Sequence, residues 1–185
     1  DTSYIDQDGE QHLTSLIEEA KNIKKELYPI VYFDDFPELA DQLSNMSNRM
    51  LLRVPVPEEI DGPDYSTIFE TVINWKRNNP VRLDVMLDLS VITSKREAKL
   101  LFSELNVLIS QYLVKNLIFD RIILAMTCFP EVLSSIPPGE SKFFERYELK
   151  LLQKILHELN DIKSKLIFSD YGVTKFTDTD LDYSK

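Results

Sequence analysis

The chain has 185 residues, of which only one is cysteine and four are glycine. A lone thiol, Cys128, leaves no internal disulfide to form, so a reducing compartment, the cytoplasm, is the expectation. So few glycines leave little room for phosphate-cradling loops. No Gly-x-Gly-x-x-Gly follows an apolar run and no Walker sequence occurs, which disfavours dinucleotide-binding and P-loop folds. The serine-hydrolase elbow Gly-x-Ser-x-Gly is missing as well. The only histidines, His12 and His157, fall on helical stretches without an H-E-x-x-H pattern, so no metal site is expected. No apolar run approaches the roughly 18 residues that cross a bilayer. The first residues do not read as a secretory signal. Positive charge is scarce too: 21 basic against 31 acidic residues give a net charge of −10, a surface that repels nucleic acid and anionic membranes. Neither is an expected partner. No feature names a cofactor. With Asp1 at its start and so few glycines, the chain is expected to be a piece of a longer one.

What is present is an alternation of short apolar runs with helix-period stretches. Leu83 to Ile92 organises the rest: it is nearly all apolar but carries Asp84 and Asp88. Such a run reads as a parallel strand covered on both faces, and an acid at its far end belongs at the mouth of the sheet, where it can be paired or wet. Similar strands are expected at Tyr28 to Phe33, Met50 to Val56, Phe119 to Cys128 and Leu166 to Val173. Helices are expected between them. The first starts near Glu10, with Leu13, Leu16, Ile17, Ala20, Ile23 and Leu27 inward. The second has Asp35 as N-cap and Pro37 in its first turn. A third, opened by Pro63, stops at Asn78-Asn79-Pro80. The fourth starts with the capping box Ser94-x-x-Glu97, and the fifth runs from Glu140 to about Ser164. Between Phe129 and Gly139 lies a proline-rich connection of the length that often carries function. Strand–helix alternation implies an α/β fold of parallel β/α repeats with right-handed crossovers, a partial or complete TIM-like barrel. Residues 1–173 are expected to form one domain, and 174–185 a polar tail.

Parallel strands would bring their C-terminal ends to one rim, the usual location of active sites in β/α barrels. The polar residues expected there are Asp34, Arg53, Asp88, Asp170 and Tyr171, with Arg146 and Glu148 reaching in from the start of the last helix. Arg53 and Arg146 can bind a phosphate or carboxylate. Asp88 and Asp170 can act as acid and base or hold a cation, with Glu148, Tyr171 and Asp34 supporting them. The alternative is that these acids and arginines simply pair with one another, and it is the preferred one. Cys128 reads as a small buried hydrophobe at a strand end before it reads as a nucleophile.

The residues Leu52-Arg53, Leu87-Asp88-Leu89, Phe129-Pro130 followed by Ser134-Ser135, Arg146-Tyr147-Glu148 and Ser169-Asp170-Tyr171-Gly172 occur in that order. This ordered set, from about Tyr4 to Val173, resembles the phage-type Beta protein family, found in tailed phages and bacterial genomes. The resemblance implies a barrel-like fold, members longer than this chain, and no assigned reaction. It points to a ligand-sensing or protein-interaction barrel in a phage–host setting. The alternative is an enzyme acting on a phosphorylated or carboxylated small molecule at the rim. Five expected strands fall short of the roughly eight that close such a barrel. An open sheet edge, and with it self-association or a partner strand, is therefore expected.

Overall fold

The computed structural model of the chain describes residues 13–57, 64–116, 118–128, 141 and 143–170. Five strands form one sheet: β1 (Ile30–Tyr32), β2 (Arg49–Pro55), β3 (Arg82–Val91), β4 (Ile122–Thr127) and β5 (Leu166–Ser169). Helices α1 (Leu13–Asn22), α2 (Phe36–Met46), α3 (Tyr65–Asn78), α4 (Lys95–Leu108) and α5 (Tyr147–Glu158) alternate with them. Every neighbouring pair is parallel and the order is simply β1-β2-β3-β4-β5. A doubly wound sheet would reverse its order at a switch point, and this one does not. The sheet is nevertheless open among the described residues, with β1 and β5 at its two ends. The expected α/β fold with parallel repeats is therefore present, and among the described residues the sheet is not closed into a barrel.

The strand pattern explains which face carries the core. In β2, Met50, Leu52 and Val54 are fully buried, while Arg49, Leu51, Arg53 and Pro55 between them are only half-buried. Their register partners Leu83, Val85 and Leu87 on β3, then Ile122 and Leu124 on β4, continue the buried face. The helices bring Phe36, Leu43, Phe69, Val72, Leu105, Ile109 and Ile155 into the same apolar cluster. At about 1.5–3 kcal/mol for each fully buried aliphatic or Phe side chain, this layer drives folding. The other face mixes half-exposed apolar residues (Ile30, Tyr32, Leu51, Met86, Ile123) with Arg49, Arg53, Asp84 and Asp88. Among the described residues, no helix is long and apolar enough to cross a membrane.

Several boundaries differ from expectation for identifiable reasons. Helix α1 stops at Asn22, because Lys24 adopts a left-handed conformation (φ 57°). Its N–H reaches the carbonyl of Lys21, and the N–H of Lys25 reaches that of Ala20, a Schellman-type stop. Ile23 and Leu27 thereby leave the helix and are exposed rather than inward, and Leu16 is exposed as well. Asp35 stands at the N-cap position of α2, but its side chain makes no capping bond. Pro37 removes one of the amides that a cap would take up. Helix α3 is capped instead by Asp64, which accepts from the N–H of Thr67. Pro63 lies outside the described residues. Ser94 accepts from the N–H of Glu97 as expected, whereas Glu97 returns its bond to Thr93. The fourth helix loosens into a π-helical turn at Ile109–Val114. The fifth begins at Tyr147, not Glu140, and breaks at Leu159 before a single 3-10 turn, Asn160–Ile162. The connection 129–140, Tyr171 and the tail 174–185 lie outside the described residues.

Candidate functional site

The parallel register sets the rim. Pro55 on β2, Asp88 on β3, Ala125 on β4 and Ser169 on β5 lie on one row. At about 4.8 Å between strands, Asp88 and Ser169 are about 10 Å apart across the sheet, with Asp170 one residue further on. Arg53, Asp88 and Asp170 thus share the C-terminal end of the sheet, in two separate clusters.

The first cluster joins β2 and β3. Arg53 donates to Asp88 Oδ2 from Nε at 2.9 Å and from its terminal nitrogen at 2.7 Å. Asp88 Oδ1 accepts from the N–H of Ser90 at 3.0 Å. Ser90 itself has φ 57° and marks the register shift between β3 and β4. A left-handed serine costs about 1–2 kcal/mol over an ordinary conformation, and this one turns the strand so that its amide faces the carboxylate. One helical-turn spacing earlier in sequence, Arg49 grips Asp84 through a fork, at 2.9 and 3.0 Å. Both pairs are nearly buried, with side chains 9–11% exposed. Tyr28 and Tyr32 lay their rings beside the Arg49 and Arg53 guanidiniums, at 5.7 and 5.8 Å. The result is a repeated Tyr–Arg–Asp ladder across three strands. Sequence reading found only its second rung. The signal for the first was present: Arg and Asp each recur four residues on, with a constant offset of 35 between the partners.

The second cluster joins β4, β5 and α5. Glu148, in the first turn of α5, is completely buried. Its Oε1 accepts from Arg146 Nε, while its Oε2 has no hydrogen-bond partner among the described residues. Arg146 also faces Asp170 at 3.5 Å, an exposed contact. Cys128, at the end of β4, is buried beside Glu148. Burial above all, then a hydrogen bond to the Glu148 carboxylate and its charge, pushes its thiol up to about 11. It is therefore a protonated thiol at neutral pH, as befits a packed side chain rather than a nucleophile. The Arg146 guanidinium is held in its charged form chiefly by its hydrogen bond to Glu148. Two carboxylates around one guanidinium make this corner acidic, and Glu148 Oε2, with only the weak thiol donor of Cys128 nearby among the described residues, leaves room for a stronger one. No three Asp, Glu, His or Cys side chains among the described residues are grouped to hold a metal ion.

Asp34 follows β1 and Phe33. It is exposed, on the groove between α2 and α3 with Phe36 and Thr67. Tyr171 lies outside the described residues. His157 is exposed in the last turn of α5.

The family model described as Beta protein matches residues 1–182. The chain belongs to the Beta protein family. That match spans both clusters and the whole β/α series. Searches of curated proteins and of solved structures find no match to the chain.

Proposed function

We propose that this Beta family chain is a binding module, with the corner of β4, β5 and α5 as its recognition site for a hydrogen-bond-donating group, an amine or guanidinium. The observation that carries this reading is Glu148 Oε2, completely buried and without a partner among the described residues. Leaving such an oxygen dry costs about 1–3 kcal/mol, more for a charged group, and a bound donor would recover it. The strand order supports the view that the sheet is an arc of a β/α barrel and that this corner lies on the barrel rim. The open ends at β1 and β5 support an association role for the same module, through a partner strand or a second copy. The phage–host setting that the family resemblance implies belongs to this proposal.

The anion-processing enzyme has less support. Each arginine assigned to the anion faces a carboxylate instead: Arg53 faces Asp88, and Arg146 faces Glu148 and Asp170.

Thermal-shift titration separates the two. Spermidine, L-argininamide and glucosamine would serve as donor probes, inorganic phosphate and Mg²⁺ as probes of the enzyme reading. At least one donor probe is expected to raise the midpoint of the wild-type chain, and Glu148→Gln to abolish the rise. A response to phosphate alone, or a donor response that survives in Glu148→Gln, would sink the proposal.

A further inference from the structure

Outside that corner, a groove carries charge opposite in sign to that of the whole chain. It runs between α4 and α5, has a volume of about 260 Å³ and is lined by Lys95, Ala98, Lys99, Tyr147, Lys150, Leu151 and Lys154. Its four lysines form two i,i+4 pairs, Lys95 with Lys99 on α4 and Lys150 with Lys154 on α5. Like charges at that spacing weaken a helix. Both pairs border one groove, on a chain with ten more acidic than basic residues. The acids beside it only half-balance them. Glu145 pairs with Lys150 and also feels Lys95, and Glu158 lies 3.9 Å from Lys154. Lys99 has no ion-pair partner among the described residues. The floor is apolar: Leu151 is buried, and Ala98 and Tyr147 are half-buried. Lys154 lies over the Phe102 ring at 3.7 Å, which holds one ammonium at the edge of the groove.

We infer that this groove docks an acidic, amphipathic segment of a partner protein, its carboxylates on the lysines and an apolar side chain on the Ala98–Tyr147–Leu151 floor. Charge complementarity selects the class of partner. A whole second copy, itself at −10, brings more like charge to this groove than a short acidic segment does. A nucleic-acid backbone would meet the same repulsion and would have no use for an apolar floor. None of the groove's lining residues is Cys128, Arg146, Glu148 or Asp170, so it is tested separately from the donor-binding corner.

The test uses the full chain and a fluorescein-labelled peptide of alternating Glu and Leu, read by fluorescence anisotropy at low salt. Binding is expected, weakened about tenfold or more in the double variant Lys95→Glu/Lys99→Glu, and weakened again when the peptide leucines become serines. The same peptide should bind Glu148→Gln unchanged. Absence of binding by the wild-type chain, or equal binding by the lysine variant, overturns the inference. So does a single-stranded DNA of equal charge that binds as tightly as the peptide. Sedimentation of the wild-type chain alone gives the last outcome: self-association abolished by Lys95→Glu/Lys99→Glu would assign the groove to a second copy and overturn the partner reading. The lysines are exposed, so these variants should keep their fold, and an unchanged urea midpoint verifies it.

Discussion

A nearly buried carboxylate, Asp88, and a fully buried one, Glu148, are treated in opposite ways. Asp88 spends both oxygens: one takes two bonds from Arg53, the other takes the Ser90 amide. Glu148 spends one oxygen on Arg146 and leaves the other without a partner among the described residues. Exposure of the two arginines differs as well. The Arg53 side chain is 11% exposed, the Arg146 side chain 42%. A fully satisfied buried ion pair fixes strand register and has no donor capacity to offer a ligand. A half-satisfied one is tolerated where the missing partner comes from outside. On the proposed function, the difference leaves the β2–β3 ladder to architecture and the β4–β5–α5 corner to recognition, although both were expected at one rim.

The comparison breaks most readily at Asp88. Asp88→Ala leaves the nearly buried Arg53 without its carboxylate and should cost about 3–5 kcal/mol in urea denaturation. Asp170→Ala removes an exposed contact to Arg146 and should cost about 1 kcal/mol. The double variant Arg53→Met/Asp88→Leu should recover most of the Asp88→Ala loss, because an apolar pair of similar volume carries no desolvation penalty. Equal costs for Asp88→Ala and Asp170→Ala would erase the distinction between ladder and corner.

At Glu148 the expected sign reverses. Glu148→Gln gives up a charged bond to Arg146, yet it removes a buried charge with one undonated oxygen and supplies an amide donor of its own. Its stability should stay within about 1 kcal/mol of wild type or rise, the pattern of residues kept for binding rather than folding. A loss as large as that of Asp88→Ala would make Glu148 a second structural pair, and the donor-binding proposal would lose its footing.

The particular residues show why part of this was legible in advance. The apolar runs and their acid-tipped ends gave all five strands, because a strand covered on both faces needs near-continuous hydrophobicity. Parallel pairing followed from the helices between them. Strand ends were overextended, as at Leu166 to Val173 against the observed Leu166–Ser169, since composition does not mark where a ladder loses its partner. Arg53 was recognised as needing an acid, and Asp88 was on the page, but pairing across β2 and β3 is a matter of register, which a single chain of letters does not print. The first rung, Arg49 with Asp84, was missed because neither residue lies at a strand's C-terminal end. The solitary oxygen of Glu148 had no sequence signal at all: burial of one carboxylate atom depends on how α5 closes over β4.

A smaller effect is expected at Ser90, where the ladder meets the rim. Its left-handed backbone suits glycine, so Ser90→Gly should stabilise the chain by about 1 kcal/mol while leaving the N–H on Asp88 in place. Ser90→Val should destabilise by more than that, since a β-branched side chain resists positive φ. If Ser90→Gly were destabilising, the bulge would depend on the serine hydroxyl and not on backbone shape.

The least disruptive probe of the corner is alkaline pH. The Cys128 thiol is raised from 9.0 to about 11 in the folded chain, first by burial and then by Glu148. The folded state therefore holds this proton more tightly than the unfolded state. That contribution to stability is fully present below about pH 9 and is lost as pH rises toward 11. Urea midpoints of the wild-type chain should fall across that window more steeply than those of Cys128→Ala, which removes this proton while leaving the lysines and tyrosines that titrate nearby. Glu148→Gln should shallow the slope without flattening it, because burial, the larger cause, remains. A slope unchanged in Glu148→Gln would place the Glu148 carboxylate farther from Cys128 than the corner requires, and would separate two groups that the recognition site needs side by side.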